Sequence, residues 1–332
     1  MRKTIKNAVL GVLRSTGAFA ASANSSRRGN RLLILCYHGI SLRDEHAWEP
    51  TMYLSASHFR QRLDALRKAC IEVLPLEEGL LRLAAGTLPP RAAVITFDDG
   101  YYDFYSVALP LLREFGFPAT LYLSTYYCDY RMPVFNLIIP YLIWKSGRST
   151  LEWSEAELPP TSVVEFERVR VSQTLIRLAE SRQLDTPAKD DFARRFATHL
   201  GIDYDDILQT RLFQLVTPEE ASLMSGAGID IQLHTHRHRT PRDQTLFTRE
   251  IRDNRNWIRE FTGHDATHFC YPSGDYAPEF LPWLQELGVK SATTCVAGLA
   301  ARNSDPLLLP RLLDDDQVTP LEFESWLCGV LL

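Results

Sequence analysis

Short apolar runs that end in titratable side chains alternate along most of this chain with stretches of helical period. Leu32-Leu33-Ile34-Leu35-Cys36 leads into Tyr37-His38-Gly39, and Val94-Ile95-Thr96-Phe97 into Asp98-Asp99-Gly100; residues 229–233 lead into His234-Thr235-His236-Arg237-His238. Between them, Phe59, Leu63, Leu66 and Cys70 recur at helical spacing after Ser55, residues 77–85 are rich in Leu and Ala, residues 101–115 stop at Gly116, and Phe247, Ile251, Ile258 and Phe261 share one face that stops at Gly263. Further strands are expected at 71–74, 119–123, 268–271, 289–294 and 307–313. Strands that alternate with helices predict a parallel α/β arrangement, because parallel neighbours need a crossover. In such folds, sites gather at the C-terminal ends of strands.

The chain has 332 residues, of which 45% are apolar, enough for one barrel-sized domain or two ordinary ones. Its formal charge of −5 argues against nucleic acid as a partner. No apolar run reaches the roughly 18 residues needed to cross a bilayer, so a soluble or membrane-peripheral protein is expected, with a cytoplasmic or peripheral location favoured over secretion. Cys36, Cys70, Cys128, Cys270, Cys295 and Cys328 form no CxxC pair, and most sit in contexts that read as buried thiols.

Two segments stand outside the alternation. Residues 1–30 carry six basic side chains and no acidic one. Ile5, Val9, Val12 and Leu13 fall on one helical face there, the pattern of a helix lying on a membrane surface, with a signal peptide or a disordered tail as rivals. Residues 125–216 mix aromatics with charged helical stretches and are too long for a loop, so a mostly helical insertion into the domain formed by residues 31–332 is expected. Its aromatics serve either to stack on a sugar ring or an acyl chain or to form the insertion's own core.

The chemistry starts at Asp98 and Asp99. Adjacent carboxylates at a strand end repel each other unless a cation or a proton sits with them, and a metal divides their roles. The plain alternative is a strand ending in an Asp-Asp-Gly turn. His234 and His238, four apart, share one face of a helical turn and can close on one divalent ion. With Asp99 they make two imidazoles and a carboxylate, leaving room for water and substrate, as a hydrolytic site requires. On such a turn His236 points away.

Thr96-Phe97-Asp98-Asp99-Gly100 followed by His234-Thr235-x-x-His238 resembles the first two motifs of the NodB-homology polysaccharide deacetylases, carbohydrate esterase family four. The resemblance implies a distorted (β/α) barrel of about seven strands. It also implies a divalent ion, with zinc expected, on Asp99, His234 and His238, and Asp98 as general base. The later motifs depart from the family pattern. Cys270-Tyr271-Pro272-Ser273 stands where an Arg-x-Pro-aromatic motif is usual, so the Ser273 N–H is kept for the oxyanion but the arginine is missing; Arg311 is the candidate substitute, against a surface ion pair with Asp314 or Asp315. No histidine follows His268 to act as acid. In relatives similar to the poly-N-acetylglucosamine deacetylases the barrel is circularly permuted and that histidine comes from an N-terminal strand, which makes His38 the expected general acid. His46, His58, His199, His264 and His268 are expected to be structural or surface residues.

The expected function is removal of an N-acetyl group from a glycan or glycolipid in making or modifying a surface polysaccharide. A hydrolase of another amide and a non-catalytic glycan-binding module are the alternatives.

Overall fold

A computed structural model describes residues 2–164 and 166–331. Among them, seven strands close into a parallel barrel: β1 (Arg31–Tyr37), β2 (Ala92–Phe97), β3 (Thr120–Leu123), β4 (Asp230–Leu233), β5 (His268–Cys270), β6 (Ser291–Ala297) and β7 (Leu309–Leu313). Each strand pairs with the next in the chain, and β7 returns to β1. Closure removes the exposed edges of an open sheet. The strand expected at 71–74 shortens to Glu72–Val73, which pairs with β2 outside the ring, as Ala300–Ala301 does antiparallel to β1.

Strand alternation explains why the runs are apolar throughout. Leu32, Ile34, Ala92, Val94, Tyr122, Cys270 and Leu309 belong to one buried cluster, which Leu76 and Leu83 of the helix Leu76–Ala85 join at the end where the strands begin. The intervening side chains face the surrounding helices. Tyr37 and Phe97 both pack on Phe59 of the helix Ala56–Lys68, with ring centroids 5.2 and 5.6 Å apart. Both faces are buried, so a polar position in these strands is costly unless it is paired.

Register sets the site. Tyr37 lies level with Phe97, so His38 and Asp98 leave neighbouring strands together, and the Asp98 N–H donates to the Tyr37 carbonyl at 2.9 Å. Leu123 lies level with Leu233, which brings the segments after β3 and β4 side by side.

The chain parts into two compact units, residues 1–126 with 218–332, and residues 127–217. The second unit contains the helices Phe135–Lys145, Phe166–Ser181, Thr186–Leu200 and Tyr204–Thr210 and an antiparallel hairpin, Thr150–Trp153 with Leu158–Ser162. Trp153 packs on Phe192 and Phe196, and Tyr141 on Phe213. These rings, with Phe135, form that unit's own core and are not offered for stacking on a sugar.

The N-terminal segment forms three helices, Arg2–Ser15, Ala18–Ala23 and Ser26–Gly29. The first docks beside the helix Pro320–Leu327 through buried Leu10 and two ion pairs, Lys6–Glu322 at 2.6 Å and Arg14–Glu324 at 3.2 Å. Arg28 is buried and donates to the carbonyls of Leu327, Arg31 and Ala92. Lys6, Arg14 and Arg28 thus find partners within the protein. Cys36, Cys128 and Cys270 are buried, whereas Cys70 and Cys295 are exposed, because Cys70 leaves its helix in a left-handed turn (φ 51°) and Cys295 falls on the exposed half of β6.

Candidate active site

The turn after β2 separates the two aspartates. Asp99 (φ 69°) and Gly100 (φ 92°) are both left-handed, so the chain doubles back and adjacent carboxylates acquire different neighbours. Glycine is needed at 100, since a Cβ there would lie 2.1 Å from Leu123 Cδ1. Asp98 is 3% exposed and Asp99 6%.

Asp98 meets Arg311. The guanidinium reaches from β7 to both carboxylate oxygens, at 2.7 and 2.8 Å, and also lies near Thr96 Oγ1 at 3.3 Å. A surface pair with Asp314 or Asp315 is not formed: Arg311 is fully buried, and Asp314 pairs with Arg62 instead at 2.9 Å. Burial alone would push the Asp98 carboxyl up, but the charge and hydrogen bonds of Arg311, with His234 and His38 nearby, hold it below the usual carboxylate range. His38 Nε2 stands 3.9 Å from Asp98 Oδ2 and its side chain is one-fifth exposed.

Asp99 meets the two histidines. Its Oδ1 lies 3.2 Å from His234 Nε2 and 3.0 Å from His238 Nε2. Burial raises the Asp99 carboxyl, while the charge of His238 and hydrogen bonds from both imidazoles bring it well below the usual range. Burial lowers His238, and Asp99 more than reverses this.

The histidines converge differently from expectation. Residues 234–239 form no helical turn: Thr235 (φ 61°) and His238 (φ 52°) are left-handed, so a loop rather than i, i+4 geometry brings the rings together, with centroids 4.9 Å apart. His236 turns away and its Nδ1 hydrogen-bonds Thr125 Oγ1 at 2.9 Å.

Whether a cation fits can be decided from hydrogen bonding. His234 Nδ1 lies 2.9 Å from the Cys270 carbonyl, which can only accept, so that nitrogen carries the proton. In a neutral ring Nε2 is then a bare lone pair facing a carboxylate oxygen. His238 directs a second nitrogen at the same oxygen. Two imidazole nitrogens and a carboxylate oxygen that converge on one spot are held together by a positive charge, supplied by a ring proton or by a cation in its place, and two imidazoles with one carboxylate suit a divalent ion such as zinc.

Among the described residues, two other clusters have ligand-like spacing, Cys36 with His38 and Asp98, and Asp98 with His234 and Cys270. Neither fits as well. Burial pushes both thiols well up, which keeps them as neutral S–H groups, and they lie 3.5 and 3.4 Å from an Asp98 already held by Arg311.

Ser273 sits on the turn after β5 with left-handed φ 57° and is exposed; it makes no side-chain hydrogen bond to the cluster. His268 is buried between Ser291 Oγ and Glu77, and His58 pairs with Asp316, both away from the cluster. Reading the sequence missed Glu250 and Asn254, on the buried face of the helix Gln244–Thr262. Two polar residues four apart beside the apolar face of Phe247, Ile251 and Ile258 were the available clue.

Comparison with known proteins gives one family. Residues 85–157 and 189–292, together more than half the chain, match the profile described as polysaccharide deacetylase. The chain is 32% identical over 93 residues to the poly-beta-1,6-N-acetyl-D-glucosamine N-deacetylase of Escherichia coli (strain K12), a stretch covering 27% of this chain and 13% of that much longer protein. Its fold is similar to the Streptococcus pyogenes deacetylase PplD in complex with acetate (TM-score 0.58, 19% identity, 88% of this chain and 96% of that one). It is also similar to IcaB from Ammonifex degensii (TM-score 0.57, 18% identity, 91% and 98%).

Proposed function

The chain belongs to the polysaccharide deacetylase family, and from that premise we propose that it is a metal-dependent hydrolase that removes N-acetyl groups from an N-acetylated glycan or glycolipid, in making or modifying a surface polysaccharide. The observation that carries this reading is the division of the aspartate pair: Asp99 faces two imidazoles, and its neighbour Asp98 faces a buried arginine.

Asp99, His234 and His238 would hold the ion, which when bound supplies Lewis acidity toward the acyl carbonyl and the attacking water. Asp98, kept ionised by Arg311, accepts the proton that water loses. Arg311 fixes the plane of that carboxylate through two parallel hydrogen bonds, the orienting role whose usual arginine is missing after β5. His38, beside Asp98 and open to solvent, donates a proton to the leaving amine as the C–N bond breaks. The Ser273 N–H is assigned to the oxyanion. The products are acetate and a free amine.

The reading extends to peripheral membrane contact through residues 1–30. With Leu10 docked, Ile5, Val9 and Val12 form an outward ridge on the first helix, 57%, 43% and 62% exposed. An apolar ridge of this kind suits the headgroup boundary of a bilayer.

The test is release of free amine from an N-acetylglucosamine oligomer, followed by amine labelling and acetate assay. Amine should appear with the zinc-loaded chain, stop on chelation and return with zinc. Acetate release from another amide but from no acetylated sugar would move the substrate class, and no turnover on either would sink the catalytic reading.

A further inference from the structure

His234 and His238 stand on a segment that cannot keep its own shape. Left-handed backbone at Thr235 and His238 is uncommon for any residue with a side chain and a marked outlier for a β-branched one. Such conformations persist only where their surroundings over-determine them.

One helix does most of the holding. Glu250 and Asn254, four apart on the helix Gln244–Thr262, are 2% and 0% exposed. Asn254 Oδ1 accepts from the His234 N–H at 2.9 Å, and its Nδ2 donates to the Leu123 carbonyl at 2.9 Å and to Thr125 Oγ1 at 3.0 Å. The Glu250 carbonyl accepts from the His236 N–H at 3.1 Å. Its carboxylate accepts from the Arg237 N–H at 2.8 Å, Arg239 Nε at 2.9 Å and Arg237 Nη1 at 3.2 Å. Thr235 Oγ1 closes the loop by accepting from the Arg239 N–H at 3.0 Å. A buried carboxylate surrounded by matched donors, which no step of the proposed reaction uses, calls for a role of its own.

We infer that Glu250 and Asn254 are positioning residues that hold residues 234–239 in the metal-ready conformation before any ion arrives. The inference rests on the reading of His234 and His238 as ligands. A loop that had to be ordered by the ion would bind it more weakly, in proportion to the fraction of time spent in the competent form. The clamp removes that loss.

Zinc affinity of the full chain, measured by competition with a chromophoric chelator, tests this with Glu250→Gln and Asn254→Ala. Glutamine turns an NH2 toward donors, and alanine leaves the His234 N–H without its acceptor. Zinc binding should weaken about 10- to 100-fold in each, with deacetylation lost at limiting zinc and kcat restored close to wild type at saturating zinc. Variants that melt earlier but bind zinc as tightly as wild type would overturn the inference. If a variant does not fold, hydrogen exchange on the metal-free wild-type chain decides: the amides of His234, His236 and Arg237 should already be protected, and protection that appears only with zinc would refute preorganisation. A wild-type chain that binds no zinc would defeat the ligand reading instead, while the exchange result would still report on the clamp.

Discussion

Asp98 and Asp99 occupy consecutive positions yet answer to different partners, and the difference lies in what neutralises each. For Asp98 it is a buried guanidinium, so Arg311→Ala should leave an uncompensated carboxylate and cost about 3–5 kcal/mol of stability by chemical denaturation. Arg311→Lys keeps the charge but loses the two-pronged geometry; it should fold and lose turnover at least tenfold, with zinc affinity unchanged. The pH dependence of stability follows from the same pair. The folded Asp98 carboxyl lies below the ordinary value near 4, so folding favours its ionised form. That stabilisation is fully present above about pH 4 and fades as the pH falls below it. Asp98→Asn should therefore show a smaller drop in denaturation midpoint between pH 5 and pH 3 than wild type, and an equal drop would show that other carboxylates govern the acid limb.

At the scale of elements, the site is a product of strand register and of the loops at one end of the barrel. Level pairing of Tyr37 with Phe97 sets His38 beside Asp98, and level pairing of Leu123 with Leu233 sets Ser124 beside His234, whose carbonyl accepts from Ser124 Oγ at 2.9 Å. The tightest point is Gly100. Its positive φ and its contact with Leu123 mean that Gly100→Ala must both strain the backbone and displace a core side chain. We expect about 2–5 kcal/mol of destabilisation and a loss of zinc affinity larger than that for a surface control, because Asp99 would have to move. Near-normal zinc binding in this variant would mean that the turn after β2 tolerates change.

For the whole molecule, the N-terminal helix has two faces with different work. Lys6, Leu10 and Arg14 fasten it to the protein, so Leu10→Ala should lower stability by about 2–5 kcal/mol. Ile5, Val9 and Val12 face outward, and replacing all three by serine should change stability little. The same triple variant should lose flotation with vesicles of mixed zwitterionic and anionic lipid while keeping its activity on soluble oligomers. Flotation equal to wild type would remove the membrane contact, and a change from dimer to monomer would assign the ridge to a second copy.

What was legible in the sequence is what depends on local composition and period. Apolar runs buried on two faces, helical spacing between them and carboxylates or imidazoles at their ends were enough for a parallel α/β arrangement, and the paired motifs at 96–100 and 234–238 for a resemblance to the deacetylases, which implied the barrel. Three things required the tertiary structure. Arg311 was a candidate for the missing arginine, but the choice of Asp98, 213 residues away, over Asp314 or Asp315 as its partner is made only by closure of β7 onto β1, which brings the guanidinium into the barrel mouth. The histidine pair converges through left-handed loop residues rather than a helical turn, because Glu250 and Asn254 outweigh local preference at Thr235. The apolar and basic residues of the first helix divide between docking and exposure according to where the helix Pro320–Leu327 lies. Each of these depends on a contact between residues far apart in the chain, and the free energy of such a contact exists only once the fold has brought its two sides together.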